Sequence, residues 1–271
     1  MNMWSNQSAE AKKKRWDALW ALEDMPRPLW FIPATPVMAL ASKYLGQGRS
    51  VTTLFSDREV QFKESLNFVR FFSLVQKFWS RDDFVSHLQP QMGVGVFASA
   101  FGCQADFPDD QFPRVHPLMK TGEAADRVNQ IEPPGIKDGQ LGQVLEFADY
   151  FNKKAGKKYP IAMTDLQGPM DTAYLVWNAT DFMMAMYDHP DEVHRLMRLC
   201  TDLVIDFVKE FKTRVDEMIP SHFPPAYLPD GRGITVSEDV LAVLSPDLYE
   251  TFSLPYINEL SEEFGGIMIH S

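Results

Sequence analysis

The sequence predicts an α/β fold in which parallel strands and helices form a barrel. Short apolar segments alternate with longer amphipathic helices from about residue 159 onward, which is the pattern of a parallel sheet. No glycine-rich phosphate loop opens a helix, so a barrel is favoured over a doubly wound nucleotide-binding sheet. In such barrels the chemistry lies where strands end, and those positions are where site residues are expected.

Composition narrows the class of protein. The 271 residues are 45% apolar and 23% charged, which excludes a disordered chain. Lys and Arg total 26 against 37 Asp and Glu, and the net charge of −11 disfavours nucleic-acid binding. The two cysteines, Cys103 and Cys200, exclude a disulfide scaffold and predict a cytoplasmic protein. No apolar run approaches the roughly 18 residues that a membrane span needs.

Residues 1–54 are expected to precede the barrel as a helix and an extended segment. Trp16, Leu19 and Trp20 recur at helical spacing within 1–24, and prolines then prevent a helix over 25–50. The basic run over residues 12–15 predicts a solvated face of a surface helix, with a membrane-surface helix as the alternative.

Residues 55–271 are assigned to the barrel domain. Ser56 and Glu59 form a capping-box pattern that predicts a helix to about Trp79. The small apolar run from Met92 to Ala100 predicts a first barrel strand buried on both faces. The remaining expectations are strands over 159–164, 218–222 and 265–271, helices over 141–155, 171–187, 190–214 and 245–264, and a long loop over 102–140 with a short excursion at 106–120.

Several polar residues follow these strands. Asp165 can act as a general base, bind a metal or hold a substrate group, or merely cap the next helix. Gln167 can orient a polar substrate. His222 ends the next strand, and Asp239 belongs to the charged residues after it that can line the mouth of the barrel.

Three further residues are candidates. His270 ends the last strand, and its imidazole suits zinc and titrates near neutral pH, although a hydrogen-bonded structural histidine has the same sequence signature. Cys103 is a candidate substrate contact or thiolate, with a plain buried thiol as the alternative. Tyr227, in the Pro/Gly-rich stretch after His222, is a candidate substrate-binding residue.

Three segments resemble the uroporphyrinogen decarboxylase superfamily. The helix from Leu244 to Tyr256 is similar to that family's "LSPe.y..F.lPY" segment. The block from Gly168 to Val193 is similar to its "GP…a…l.g.edf…l.d.Pe.v..l" segment, and the small-residue run from Gly93 to Cys103 also resembles members of the family. The resemblance spans about 55–271 and implies a (β/α)8 barrel of the TIM type. Because members of the family continue beyond the corresponding position, it also implies that the last strand–helix units are lacking here.

The resemblance implies two activities. In its cobamide-dependent methyltransferase branch, zinc bound by an His-x-Cys motif and a later cysteine activates a thiol that accepts a methyl group, and His270–Ser271 matches the first two positions of that motif. The decarboxylase branch carries an arginine-rich "RQAGRY" segment. The corresponding stretch here, from Arg27 to Phe31, has no such arginine cluster.

The leading expectation is therefore a zinc-dependent methyltransferase that works with a corrinoid. A decarboxylase of a porphyrinogen-like acid is the first alternative, and a non-catalytic corrinoid- or tetrapyrrole-binding relative is the second. The expected partners are a corrinoid protein or a small tetrapyrrole, with a possible homo-oligomer and with no nucleic acid or membrane.

Overall fold

A computed structural model describes residues 8–30, 51–77, 82–107, 113–223 and 226–271. The first seven residues, most of the predicted extended segment over 25–50, Trp79 and part of the predicted excursion at 106–120 lie outside this range. The described helices are α1 Ala9–Trp20, α2 Val51–Ser56, α3 Arg58–Val75, α4 Val96–Ala100, α5 Gly139–Ala155, α6 Pro169–Val176, α7 Ala179–Asp188, α8 Pro190–Arg214, α9 Pro246–Leu248 and α10 Leu254–Phe264. The strands are β1 Gln104–Asp106, β2 Arg114–His116, β3 Ile161–Ala162, β4 Met218–Ile219, β5 Ile234–Ser237 and β6 Ile267–His270.

Five parallel segments follow one another as neighbours in chain order. The segment around Leu88 exchanges backbone hydrogen bonds with residues 160 and 162, and β3 pairs with β4. Thr235 of β5 donates its N–H to the carbonyl oxygen of Pro220 at 2.9 Å, and β5 pairs with β6 over four residues. The α/β prediction is confirmed. Among the described residues no strand joins β6 back to the Leu88 segment, so a closed barrel is not formed by them.

The two faces of this curved sheet carry different side chains. Successive residues of a strand point to opposite faces. Ile161, Ile234 and Val236 belong to the large apolar core shared with the helices. Ala162, Ile219 and Met268 belong to a second cluster on the other face, where Trp16 of α1 covers them. The sheet therefore has an outer face packed on helices and an inner face packed on α1.

Helix α1 lies at the end of the sheet where the strands begin. Lys12 is 6% exposed and donates from Nζ to the carbonyl oxygen of Phe84 at 3.1 Å, while Trp16 donates from Nε1 to that of Asp83 at 2.8 Å. The buried carboxylate of Asp83 also accepts from Arg15 and Arg27. The expectation of a solvated basic face is wrong for Lys12 and Arg15. Their side chains donate to buried carbonyl and carboxylate oxygens at the start of the first parallel segment, and not to solvent alone.

The predicted strand over residues 92–100 is wrong. Met92 lies in a loop, and the residues that follow form the buried helix α4, which begins after Gly95 at a φ of 87°. A Cβ on Gly95 would lie 2.5 Å from a Val115 side-chain carbon, so only glycine allows this turn. A short, fully buried helix and a buried strand share the same apolar sequence, which is why the pattern was ambiguous.

Several other predicted elements are confirmed, with local differences. The helix predicted from Ser56 is present as α3, but its cap is Asp57, and Ser56 is the last residue of α2, so the predicted capping box is wrong. The long loop expected over 102–140 contains the antiparallel pair of β1 and β2. Helices α5 and α8 and strands β3, β4 and β6 lie where they were expected. The predicted helix over 171–187 breaks at Trp177, and Asn178 caps the new helix α7. Strand β5 was not anticipated. The expected helix over 245–264 contains a π-helical turn, Tyr249–Ser253, between α9 and α10. None of the described helices has the length and apolar character that a bilayer crossing requires.

Candidate active site

The candidate site lies where the parallel strands end. Asp165 follows β3, His222 follows β4, and His270 is the last residue of β6. Asp239 comes two residues after the end of β5, whose last residue is Ser237. Four neighbouring strands therefore bring these residues together at one edge, as expected for parallel strands.

Strand β5 fixes the ring of His222. The Thr235 hydroxyl accepts a hydrogen bond from the His222 backbone N–H at 3.0 Å and lies 3.1 Å from His222 Nδ1. Because that hydroxyl has its own hydrogen to donate, Nδ1 is assigned as the acceptor and Nε2 as the protonated nitrogen. Nε2 lies 2.9 Å from Ser237 Oγ and 3.2 Å from Asp165 Oδ1.

Burial shifts the pKa values of His222 and Asp165 in opposite directions. Burial, followed by the neighbouring His270, lowers the pKa of His222 to about 4, so the imidazole is neutral at neutral pH. Burial, followed by the charges of Asp171 and Asp239, raises the pKa of Asp165 to about 7, although a hydrogen bond with Ser237 opposes this. Asp165 can therefore accept or donate a proton near neutrality beside a neutral imidazole.

His270 keeps one ring nitrogen without a hydrogen bond. Its Nδ1 lies 3.4 Å from Asp239 Oδ1, which is within ion-pair range, but the geometry does not make a hydrogen bond. The Phe223 ring packs edge-on against the imidazole, with the centroids 4.9 Å apart. The backbone of His270 is held by its carbonyl oxygen, which accepts from Glu238 N–H at 2.8 Å.

Gln167 joins two loops at this end of the sheet. Its Oε1 accepts from Gly95 N–H at 2.9 Å, and its backbone forms an isolated parallel bridge with Ser237. The side chain is buried, so its observed contact ties the loop after β3 to the start of α4. Substrate binding by Gln167 stays a prediction.

The structure does not bring Cys103 into the network around His222. Its Sγ contacts the carbonyl oxygen of Leu175 at 3.9 Å, within the large apolar core. Burial raises the pKa of this thiol to about 11, so a thiolate is disfavoured and the surroundings are those of a buried structural cysteine.

Tyr227 packs with α1, not with the strand ends. Its carbonyl oxygen accepts from Trp20 Nε1 at 2.8 Å, and Lys13 Nζ lies 5.8 Å from the centroid of its ring. The ring belongs to the cluster that α1 covers. Nothing in these contacts supports substrate binding by Tyr227.

Sequence reasoning missed Thr235, Ser237 and Asp171, and it placed Glu238 only among the charged loop residues that could line the pocket. Thr235 and Ser237 lie on the unanticipated strand β5, and their alternate positions in the apolar "ITVS" run were the available signal. Asp171 and Glu238 are buried carboxylates between α6 and the end of β5. Their sequence surroundings gave no sign that they are buried, because acidic residues at such positions are usually exposed.

The described residues do not complete a metal site. No group of three or more His, Cys, Asp or Glu side chains among them is arranged to hold a metal ion. His270 and Asp239 offer two potential ligands, one of them an imidazole nitrogen that has no hydrogen-bond partner. A catalytic zinc commonly takes three protein ligands, so this pair alone does not suffice.

Comparison with known proteins identifies the family that this arrangement resembles. Residues 91–215 match the model of the uroporphyrinogen decarboxylase (URO-D) family. The predicted resemblance to that family is confirmed over this segment. The matched stretch contains Asp165 and Gln167 together with α4, α5, β3 and α6 to α8.

A solved structure extends the similarity of fold to nearly the whole chain. A methyltransferase from Methanosarcina mazei superposes with a TM-score of 0.63 at 15% sequence identity, covering 96% of this chain and 70% of the other. At this identity the likeness concerns the fold alone. A search of curated protein sequences gives no match.

Proposed function

We propose that this URO-D-like chain is a methyltransferase that moves a methyl group between a corrinoid and a thiol or similar acceptor. The observation that carries the proposal is the convergence of Asp165, His222 and His270 at the ends of neighbouring parallel strands. The family match and the methyltransferase fold neighbour favour this reaction over other chemistry of the same barrel.

In this proposal Asp165 takes the proton of the acceptor. When a thiol accepts a methyl group, a sulfur–carbon bond forms, the cobalt–carbon bond breaks with its electron pair left on the corrinoid, and the thiol proton must leave. A carboxyl group whose burial raises its pKa to about 7 is suited to accept that proton at neutral pH. His222, held by Thr235 and Ser237, orients Asp165 and stays neutral beside it.

We propose zinc as the group that would activate the thiol, with His270 as one ligand. Zinc lowers the pKa of a bound thiol and favours the thiolate. Asp239 is placed to be a second ligand or to orient the His270 ring. No third His, Cys, Asp or Glu is arranged with this pair among the described residues, so the proposal assigns no other step to zinc.

Decarboxylation of a porphyrinogen-like acid is the second candidate, with Asp165 stabilising pyrrole cations. A substrate with several carboxylates needs cationic partners. Among the described residues no Lys or Arg pairs with Asp165 or Asp239. The acidic character of the mouth therefore favours methyl transfer. A non-catalytic corrinoid-binding protein is the third candidate and shares the same site.

The test is the demethylation of methylcobalamin by a thiol, followed by the change in its visible absorbance under anaerobic conditions. We expect the wild-type chain supplied with Zn²⁺ to accelerate the reaction, and Asp165→Asn and His270→Ala to slow it at least about tenfold. Asp230→Asn, at an exposed carboxylate, is the matched control and should leave the rate unchanged. Binding of methylcobalamin without turnover would favour the non-catalytic candidate. Turnover of uroporphyrinogen together with no methyl transfer would favour the decarboxylase.

A further inference from the structure

Two buried carboxylates hold the loops that carry the candidate site. Glu238 is fully buried, and its two oxygens accept from the N–H groups of Met170 and Asp171 at 3.2 and 2.9 Å. Asp171 in turn accepts from the N–H groups of Asp239 and Val240 at 3.0 and 2.9 Å. Each carboxylate thus binds backbone amides beside the other, and we call Asp171 and Glu238 the carboxylate clasp.

The clasp spans two segments that bear site residues. Its first segment is the start of α6, which directly follows the loop of Asp165 and Gln167. Its second segment is the turn after β5, which carries Asp239 beside His270. The backbone N–H of Glu238 also donates to the carbonyl oxygen of His270, so the same turn fixes the end of β6.

The contact between Glu238 and the start of α6 requires a glycine at position 168. A Cβ on Gly168 would lie 2.2 Å from Glu238 Oε1, so the residue before α6 must lack a side chain for the clasp to close. Burial raises the pKa of Asp171 to about 6 and that of Glu238 well above its usual value, because burying either group as a charged carboxylate is costly. The backbone amides of residues 170, 171, 239 and 240, which donate to the two side chains, offset part of that cost.

We propose that Asp171 and Glu238 are positioning residues, which set the placement of Asp239 against His270 and of Asp165 against His222. The inference rests on the site proposed above, but it concerns geometry and not turnover. Asp171 acts through Asp239, because both backbone amides that it binds lie in the turn that carries Asp239. Glu238 acts through the first turn of α6 and the loop before it.

The test compares imidazole ¹⁵N chemical shifts at one fixed pH. Asp171→Asn leaves one acceptor oxygen for two N–H groups. We expect it to move the His270 signal in the same direction as Asp239→Asn does, and we expect the double variant to move the signal no further than Asp239→Asn alone. The control is Asn178→Ala, which removes a cap from α7 and should lower the midpoint of thermal unfolding without moving the His270 signal.

Two results would overturn the proposal. One is an Asp171→Asn variant that unfolds at a lower temperature while its His270 signal matches the wild type. The other is a double variant in which the two shifts add. If Asp171→Asn does not fold, Glu238→Gln is measured instead, and unmoved His222 and His270 signals would then contradict the proposal. Because the readout needs no turnover, a failure of methyl transfer would not decide this question.

Discussion

Asp165 and His222 are adjacent groups whose buried surroundings favour the neutral form of each. The carboxyl keeps its proton to a higher pH than usual, and the imidazole loses its proton at a lower pH than usual. A contact of 3.2 Å between them is therefore not an ion pair at neutral pH. Pairs of groups with displaced pKa values are a common feature of acid–base sites. Here the pair is held in place by β5, because Thr235 and Ser237 contact the ring of His222.

The raised pKa of Asp165 predicts a pH-dependent stability. A carboxyl group whose pKa rises from 3.8 to about 7 on folding stabilises the protein below the lower value, and that contribution is lost as the pH rises through the higher one. The advantage of the wild type over Asp165→Asn in the free energy of unfolding should therefore fall between about pH 4 and pH 7. Urea unfolding across this range measures it, with Asp230→Asn as the control. An advantage that grows with pH would show that the environment of Asp165 is misassigned.

A second prediction at the residue scale concerns the stability that the buried Asp83 carboxylate contributes. Its side chain is fully buried and accepts from Arg15 at 2.9 Å and from Arg27 at 2.7 Å. Asp83→Asn removes the anionic partner that Arg15 and Arg27 share among the described residues, and it should cost about 3–5 kcal/mol in the free energy of unfolding. Asp230→Asn, which breaks an exposed pair with Lys212, should cost at most about 1 kcal/mol. Equal losses from the two variants, measured by urea unfolding, would refute the special role of Asp83.

At the scale of elements, the inner face of the sheet depends on α1. Trp16 is 4% exposed and packs against Val85, Ala162 and Ile219, while its Nε1 donates to the carbonyl oxygen of Asp83. The helix has a basic, weakly amphipathic sequence, so its position follows from tertiary contacts more than from its own periodicity.

Trp16→Ala should therefore destabilise the protein by about 3–5 kcal/mol, the usual range for removing a large buried aromatic side chain. Trp16→Phe keeps most of the apolar contact and loses the hydrogen bond, so its cost should be nearer 1 kcal/mol. Denaturant unfolding measures both variants. A negligible cost for Trp16→Ala would mean that α1 does not cover the sheet in solution.

Elements with strong local signals could be predicted from the sequence. Helix α8 repeats apolar residues at spacings of three and four over 25 residues, and Pro190 marks its start. Helix α4 and strand β5 could not be predicted in the same way. The first is a short buried helix that has the apolar sequence of a strand. The second has four residues, too few for a periodic pattern to stand out.

At the scale of the whole molecule, five parallel segments in chain order account for the site. Because they are parallel, their ends lie together, and residues 57 positions apart in the chain, Asp165 and His222, come within 3.2 Å of each other. This juxtaposition was predictable from the strand pattern. The strand pattern did not predict that Cys103 and Tyr227 lie away from this site. Cys103 follows α4, a helix that was expected to be a strand, and Tyr227 belongs to a loop that passes towards α1.

The most direct test of the central claim is a methylcobalamin titration followed by the imidazole signals of the six histidines. We predict that the signals of His222 and His270 shift together and saturate, while those of His116 and His189 stay in place. Shifts confined to the other histidines, or none at all, would contradict the placement of the site at the ends of these strands.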